Sequence, residues 1–180
     1  MTSTTAASFN GLTHVCAAQP LHIAVKQEHD EIALHILGLE GVDVNTMDAD
    51  GDSPLISALE NGMLGVASKL ISLGANVGIR SKTLCAGGLF HHYASRGAVN
   101  VLKLILNAGT FDPAVAKEAA GPLHFTPLHL AARSGRGEAC QFLLPISDVN
   151  AVDKNGKTPA EVAEANRKAI AHKIITEYKP

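Results

Sequence analysis

Nine histidines and three cysteines are the side chains here best suited to chemistry, and metal binding is the chemistry they would do. Imidazole nitrogen and thiolate sulfur are the ordinary ligands of zinc, and a structural site collects four of them in closely spaced pairs. Cys85 with His91 and His92 is the nearest approach to such a cluster, and His14 with Cys16 is the next. Neither has the paired spacing, and Cys16, Cys85 and Cys140 are too few and too far apart to supply it. An odd set of scattered cysteines fits reduced thiols in a cytoplasmic or nuclear chain. Catalysis has no better footing. There is no G-x-S-x-G elbow, no glycine-rich phosphate loop closing on Lys-Ser/Thr, and no H-E-x-x-H. Asp43, Asp48, Asp50 and Asp52 gather carboxylates, but beside Gly51 they read as turn chemistry rather than as an acid–base pair. The sequence therefore predicts no enzyme, no catalytic residue, no metal and no cofactor. The alternative is a ligand- or metal-regulated binding protein that uses residues 85–92 and 109–125.

Three of the histidines fall into a pattern. Thr126-Pro127-Leu128-His129-Leu130-Ala131-Ala132 has copies in Pro20-Leu21-His22-Ile23-Ala24, Ser53-Pro54-Leu55-Ile56-Ser57-Ala58 and Thr158-Pro159-Ala160-Glu161-Val162-Ala163. A degraded copy reads Gly88-Leu89-Phe90-His91-His92-Tyr93-Ala94. With the proline, or Leu89, as origin, the copies start at 20, 54, 89, 127 and 159, at intervals of 34, 35, 38 and 32 residues. Each opens a helix. The Ser or Thr hydroxyl accepts a backbone N–H that the helix leaves unpaired, and proline at the first helical position loses no hydrogen bond. The small residue that follows lets a neighbouring helix approach closely.

A second helix follows each first one. Val101, Leu102, Ile105 and Leu106 form an apolar stripe, as do Ile32, Ala33, Ile36 and Leu37. Cys140, Phe142, Leu143 and Leu144 do so in the fourth unit, with Pro145 as a stop, and Ala171, Ile174, Ile175 and Tyr178 in the last. The segments Val42-Asp43-Val44-Asn45, Gly74-Ala75-Asn76-Val77 and Ser147-Asp148-Val149-Asn150 then lead into turns such as Asp48-Ala49-Asp50-Gly51 and Asp153-Lys154-Asn155-Gly156. The period, the opening heptad and these endings together resemble the ankyrin-repeat family. The resemblance implies an all-α repeat solenoid of about five stacked repeats, each a helix-turn-helix plus a β-hairpin loop, with atypical capping repeats at both ends. It covers residues 14–180 as a single domain, with repeats near 14–47, 48–82, 83–120, 121–152 and 153–180. Residues 1–13 are expected to be a disordered N-terminal segment.

The pattern fails in two places. Gly88 and Leu89 stand where Thr and Pro belong and Tyr93 where a close-packed alanine belongs, so the third unit is expected to be the softest. The unshifted register, with Phe90 inward, keeps the spacing to Gly97 and is preferred. An insertion near residues 109–125 lengthens the next interval, and Pro113 to Ala120 has alanine enough for one or two helical turns.

A hydrophobic fraction of 46%, a charged fraction of 18% and a net charge of -2 describe an ordinary globular chain with no bulk attraction for nucleic acid. No apolar run reaches the roughly 18 residues of a membrane span. What remains is a binding surface. The resemblance implies that a partner protein contacts the exposed ends of the first helices and the hairpin tips, along a concave groove. On this chain those are Lys26, Gln27, Glu60, Asn61, Ser95, Arg96, Arg133 and Ser134 on helices, and Ala49, Asp50, Asp52, Lys154, Asn155 and Lys157 at tips. Phe125 is expected beside them as an exposed aromatic anchor. The implied role is that of an adaptor, competitive inhibitor or assembly factor, monomeric, acting on another protein and not on membrane or nucleic acid.

Overall fold

The computed structural model describes residues 13–79, 81, 84, 87–109 and 112–179, with side chains from residue 20 onward. The chain divides into two compact units, residues 1–75 and 76–180. The first unit holds α1 (Thr13–Lys26), α2 (Asp30–Ile36), α3 (Pro54–Glu60) and α4 (Leu64–Ser72). The second holds α5 (Leu89–Arg96), α6 (Val99–Leu106), α7 (Pro127–Ser134), α8 (Gly137–Leu143), α9 (Pro159–Ala165) and α10 (Ala169–Thr176). Single 3-10 turns lie at Pro113–Ala116 and Leu144–Ile146. Among the described residues there is no strand, only an isolated antiparallel bridge between Ala120 and Phe125.

Helices shorter than about 12 residues are marginal alone, so packing must hold these in place. In the first unit α1 packs on α2 and α3, and α4 covers α2 and α3. In the second, α7 lies between α5 and α9 as one layer, while α6, α8 and α10 form another. Leu21, Leu55, Ile56 and Leu70 are the largest fully buried side chains of the first core; Phe90, Leu102, Ile105, Leu128 and Leu143 serve the second. Each removes apolar surface worth about 1.5–3 kcal/mol from water.

The helix starts follow the sequence at four of the five copies, three of them with the expected side-chain cap. The hydroxyls of Ser53, Thr126 and Thr158 accept from the backbone N–H three residues on, each at 3.4 Å. Glu161 closes a capping box by accepting from Thr158 N at 2.7 Å. The first copy differs. Instead of starting at Pro20 behind Gln19, α1 runs from Thr13 straight through Pro20. A proline within a helix leaves one carbonyl of the preceding turn without its donor, and the interior position shows that the flanking turns hold regardless.

At the third copy the preferred register holds: α5 spans Leu89–Arg96, Phe90 is 2% exposed, and the helix ends on a left-handed Gly97. The two glycines before it have a physical reason. Gly88 sits at φ 80°, and a Cβ on Gly87 would lie 2.1 Å from the ring of the buried His91. A threonine at 88 would be strained at that φ, and no side chain fits at 87 without moving His91.

A second regularity was not legible as one. The residue eight positions past each origin is left-handed in all five repeats: Glu28 (φ 58°), Gly62 (71°), Gly97 (77°), Gly135 (70°) and Arg167 (58°). That conformation turns each first helix into its second. The stripe expected on α2 is corrected in part, because Ile32 is 53% exposed while Ala33 and Leu37 are buried. Pro113 to Ala120 forms one 3-10 turn and no more, started by Asp112, whose Oδ1 accepts from Ala114 N at 2.9 Å.

Candidate functional site

The tips are built by aspartate. Asp48 Oδ1 accepts from Asp50 N and Asp52 N, both at 2.9 Å, while Asp48 N donates to Asp52 O at 3.0 Å. Asp153 repeats this, accepting from Asn155 N at 2.7 Å and Lys157 N at 3.0 Å. These N–H donors hold the Asp153 carboxyl below its ordinary value against the opposing effect of burial. Turn chemistry thus explains the acidic cluster, and nothing in it is arranged as a general acid and base.

Histidine ties helix to tip. His22 Nε2 lies 3.3 Å from Asp52 O, and His129 Nε2 lies 3.0 Å from Lys157 O. A carbonyl only accepts, so Nε2 carries the hydrogen and Nδ1 of His129 is the acceptor for Thr126 N at 3.3 Å. Burial pushes the His129 imidazole below its ordinary pKa, partly opposed by the Lys157 carbonyl and Asp153. His91 makes the same bridge to a different place. Its Nε2 lies 2.9 Å from Glu118 O, inside the insertion. The insertion therefore supplies the third unit's acceptor, and it also buries Ala116 completely. His91 has a structural partner in that bridge, and no three His, Cys, Asp or Glu side chains among the described residues are grouped to hold a metal ion. Cys85 lies outside the described residues, as do the side chains of His14 and Cys16. Cys140 is buried, and its burial pushes the thiol up to about 12.

Every candidate helix and tip position is at least partly exposed, but several are already engaged. Lys26 Nζ reaches Asp48 at 2.8 Å and Asp50 at 3.1 Å, which raises the ammonium and helps hold Asp48 below the ordinary carboxylate value. Asn61 Nδ2 donates to Val25 O at 2.9 Å, closing the end of α1. Arg136, which the sequence did not single out, donates from Nε to Ser95 O at 3.4 Å. Gln27, Ala49, Glu60, Arg96, Ser134, Lys154, Asn155 and Lys157 complete the set, within their own units.

Phe125 requires a correction. It is 7% exposed, not an exposed anchor. Its ring stacks on His129 at 5.6 Å with a 12° tilt, and the Arg133 guanidinium covers it 5.7 Å from the centroid. The position just before the cap faces the histidine bridge, so an aromatic there is drawn inward. What it leaves at the surface is a pocket of about 240 Å³ whose wall it shares with Pro122, Leu123, Leu130 and Arg133.

Charge separates the units. Residues 1–75 carry 2 Lys and Arg against 9 Asp and Glu, a net of -7; residues 76–180 carry 13 against 8, a net of +5. The whole-chain value of -2 conceals this opposition.

Paired short helices joined by left-handed turns, aspartate-built tips and histidine bridges define a helical repeat protein. The chain belongs to the ankyrin-repeat family: residues 7–81 and 90–179 match ankyrin repeats (3 copies). Such repeats are, as a class, non-catalytic modules that mediate protein–protein interaction. Human transient receptor potential cation channel subfamily A member 1 is similar, 31% identical over 162 residues that cover 87% of this chain and 14% of that protein. The putative E3 ubiquitin-protein ligase XBAT35 of Arabidopsis thaliana is 38% identical over 103 residues, 57% of this chain and 21% of that one. Protein phosphatase 1 regulatory subunit 12A of Mus musculus is 30% identical over 143 residues, 79% and 12% respectively. The chain thus spans a minor part of each relative's length. Among the described residues no helix is long and apolar enough to cross a membrane.

Proposed function

We propose that this chain captures another protein through the C-terminal ends of its first helices and its hairpin tips, and acts as an adaptor, competitive inhibitor or assembly factor. The observation that carries this reading is how the first helices divide. In α3 every residue from Pro54 to Leu59 is buried, and only Glu60 and the following Asn61 reach the surface. In α7 the same holds from Pro127 to His129 and at Ala131 and Ala132, with Arg133 exposed. Fold and surface are thus assigned to different residues of one helix, and the surface ones are polar and variable in type. A relative named as a regulatory subunit fits a module that acts on a partner and not on a substrate.

The test is affinity capture with the intact chain against a double charge reversal, Arg96→Glu with Arg133→Glu. Both side chains are exposed, so circular dichroism should show the fold intact, with the unfolding midpoint lowered only by loss of the Arg133–Phe125 contact, about 0.5–1 kcal/mol, while at least one captured partner is lost. An unchanged set of partners would remove this surface from consideration.

A further inference from the structure

The pocket beside Phe125 exists because of the insertion. Residues 120–125 form a hairpin one residue longer than the tips at 48–52 and 153–157, closed by Ala120 N to Phe125 O at 2.9 Å and Phe125 N to Ala120 O at 3.0 Å. Lys154 N holds its apex by donating to Leu123 O at 3.0 Å. Pro122 and Leu123 are thereby presented as an exposed apolar rim, with Phe125 and Leu130 as the wall and the buried His91 as the floor. Arg133 stands at the mouth.

We propose that this pocket anchors an acidic segment of the partner protein, taking one large apolar side chain while a neighbouring carboxylate meets Arg133. The inference rests on the interaction reading above and names the chemistry of the partner. Size argues for a side chain: about 240 Å³, open on one side, falls below the roughly 300–1,000 Å³ of small-molecule sites. Charge argues for acid. The pocket lies in the unit of net +5, and the Arg133 guanidinium uses its flat face on Phe125, leaving its edge donors for a carboxylate. Among the described residues no carboxylate is paired with it. Order argues for binding without rearrangement, since bridge, stacking and backbone bonds fix the walls beforehand.

The test follows the backbone amides of the full chain by NMR during titration with acetyl-Asp-Leu-Asp-amide. Saturable shifts are expected at residues 120–133. Acetyl-Asp-Ala-Asp-amide and acetyl-Lys-Leu-Lys-amide should each bind about tenfold more weakly, one losing the buried side chain and the other the charge match. Arg133→Glu should reverse the preference between the Asp and Lys peptides, which mere loss of packing would not do. No saturable shift at these amides, equal binding of the Lys peptide, or tighter binding of a thymidine oligonucleotide at the same amides would overturn the proposal. Leu123→Ser separates it from the broader reading. Capture lost on reversal at Arg96 and Arg133 but kept in Leu123→Ser, with no peptide shifts, would leave the interaction surface standing and remove the pocket. Peptide binding as described, with capture unaffected by either variant, would do the opposite.

Discussion

At the scale of single residues, one imidazole links fold and pH. His129 is fully buried with Nε2–H donated to Lys157 O and Nδ1 accepting from Thr126, so both nitrogens are committed only while the ring is neutral. Its folded pKa lies below the ordinary 6.5, so the unfolded chain binds the proton more readily. The stability it contributes is fully present above that value and is lost as pH falls through the folded pKa. Thr126, Phe125, Lys157 and Asp153 face it, and the Lys157 carbonyl and Asp153 moderate the effect. His129→Gln should cost about 1–3 kcal/mol at pH 7.5 in urea unfolding, and the gap to the wild type should narrow at pH 5.5. A gap that does not depend on pH would mean the ring is not held neutral. A second residue carries removable strain. Arg167 is left-handed at φ 58°, where a non-glycine side chain costs about 1–2 kcal/mol, partly offset in glycine by chain entropy of about 0.5–1 kcal/mol. Arg167→Gly should therefore raise the thermal midpoint by about 1–4 °C, and a fall would refute the assignment. Three glycines at this position were visible in the sequence, but Glu28 and Arg167 carry no turn signature. Their conformation is imposed by the helices on either side, which is why residue type alone concealed the five-fold regularity.

At the scale of elements, the third repeat shows what a pattern can and cannot reveal. Three capped helix starts were legible because Ser or Thr before Pro acts locally, within one turn of chain. The start of α5 was legible only by spacing, since Gly87 and Gly88 serve a close approach to His91 and a left-handed backbone that no local rule announces. The fate of Phe125 was hidden for the same reason: its burial depends on His129 and Arg133 closing over it. The insertion is likewise more than a tolerated loop, because Glu118 O completes the His91 bridge and Ala116 is buried. Even so, α5 has no side-chain cap, and α7 has a full capping box. Hydrogen exchange should therefore be faster across residues 89–107 than across 127–143, by a factor that reflects about 1 kcal/mol of capping. Equal or greater protection in 89–107 would show that packing of α5 against α7 outweighs the missing cap.

For the whole molecule, the telling quantity is charge distribution and not charge. A net of -2 excludes strong general attraction to polyanions, yet -7 in residues 1–75 and +5 in residues 76–180 give each unit a field of its own. In the acidic unit part of that field is spent internally, since Lys26 is clamped by Asp48 and Asp50. In the basic unit Arg133, Lys154 and Lys157 stay exposed around one hairpin. Such fields steer encounter more than they add affinity, and they fade within a Debye length of about 8 Å at physiological salt and 3 Å at 1 M. Polyglutamate added to the intact chain at low salt should therefore move amide resonances of residues 120–160, and polylysine those of residues 26–61. Both effects should vanish near 1 M salt. If the two polymers disturb the same residues, or if either effect survives high salt, the opposed fields do not govern approach. The partner would then be recognised by contact alone.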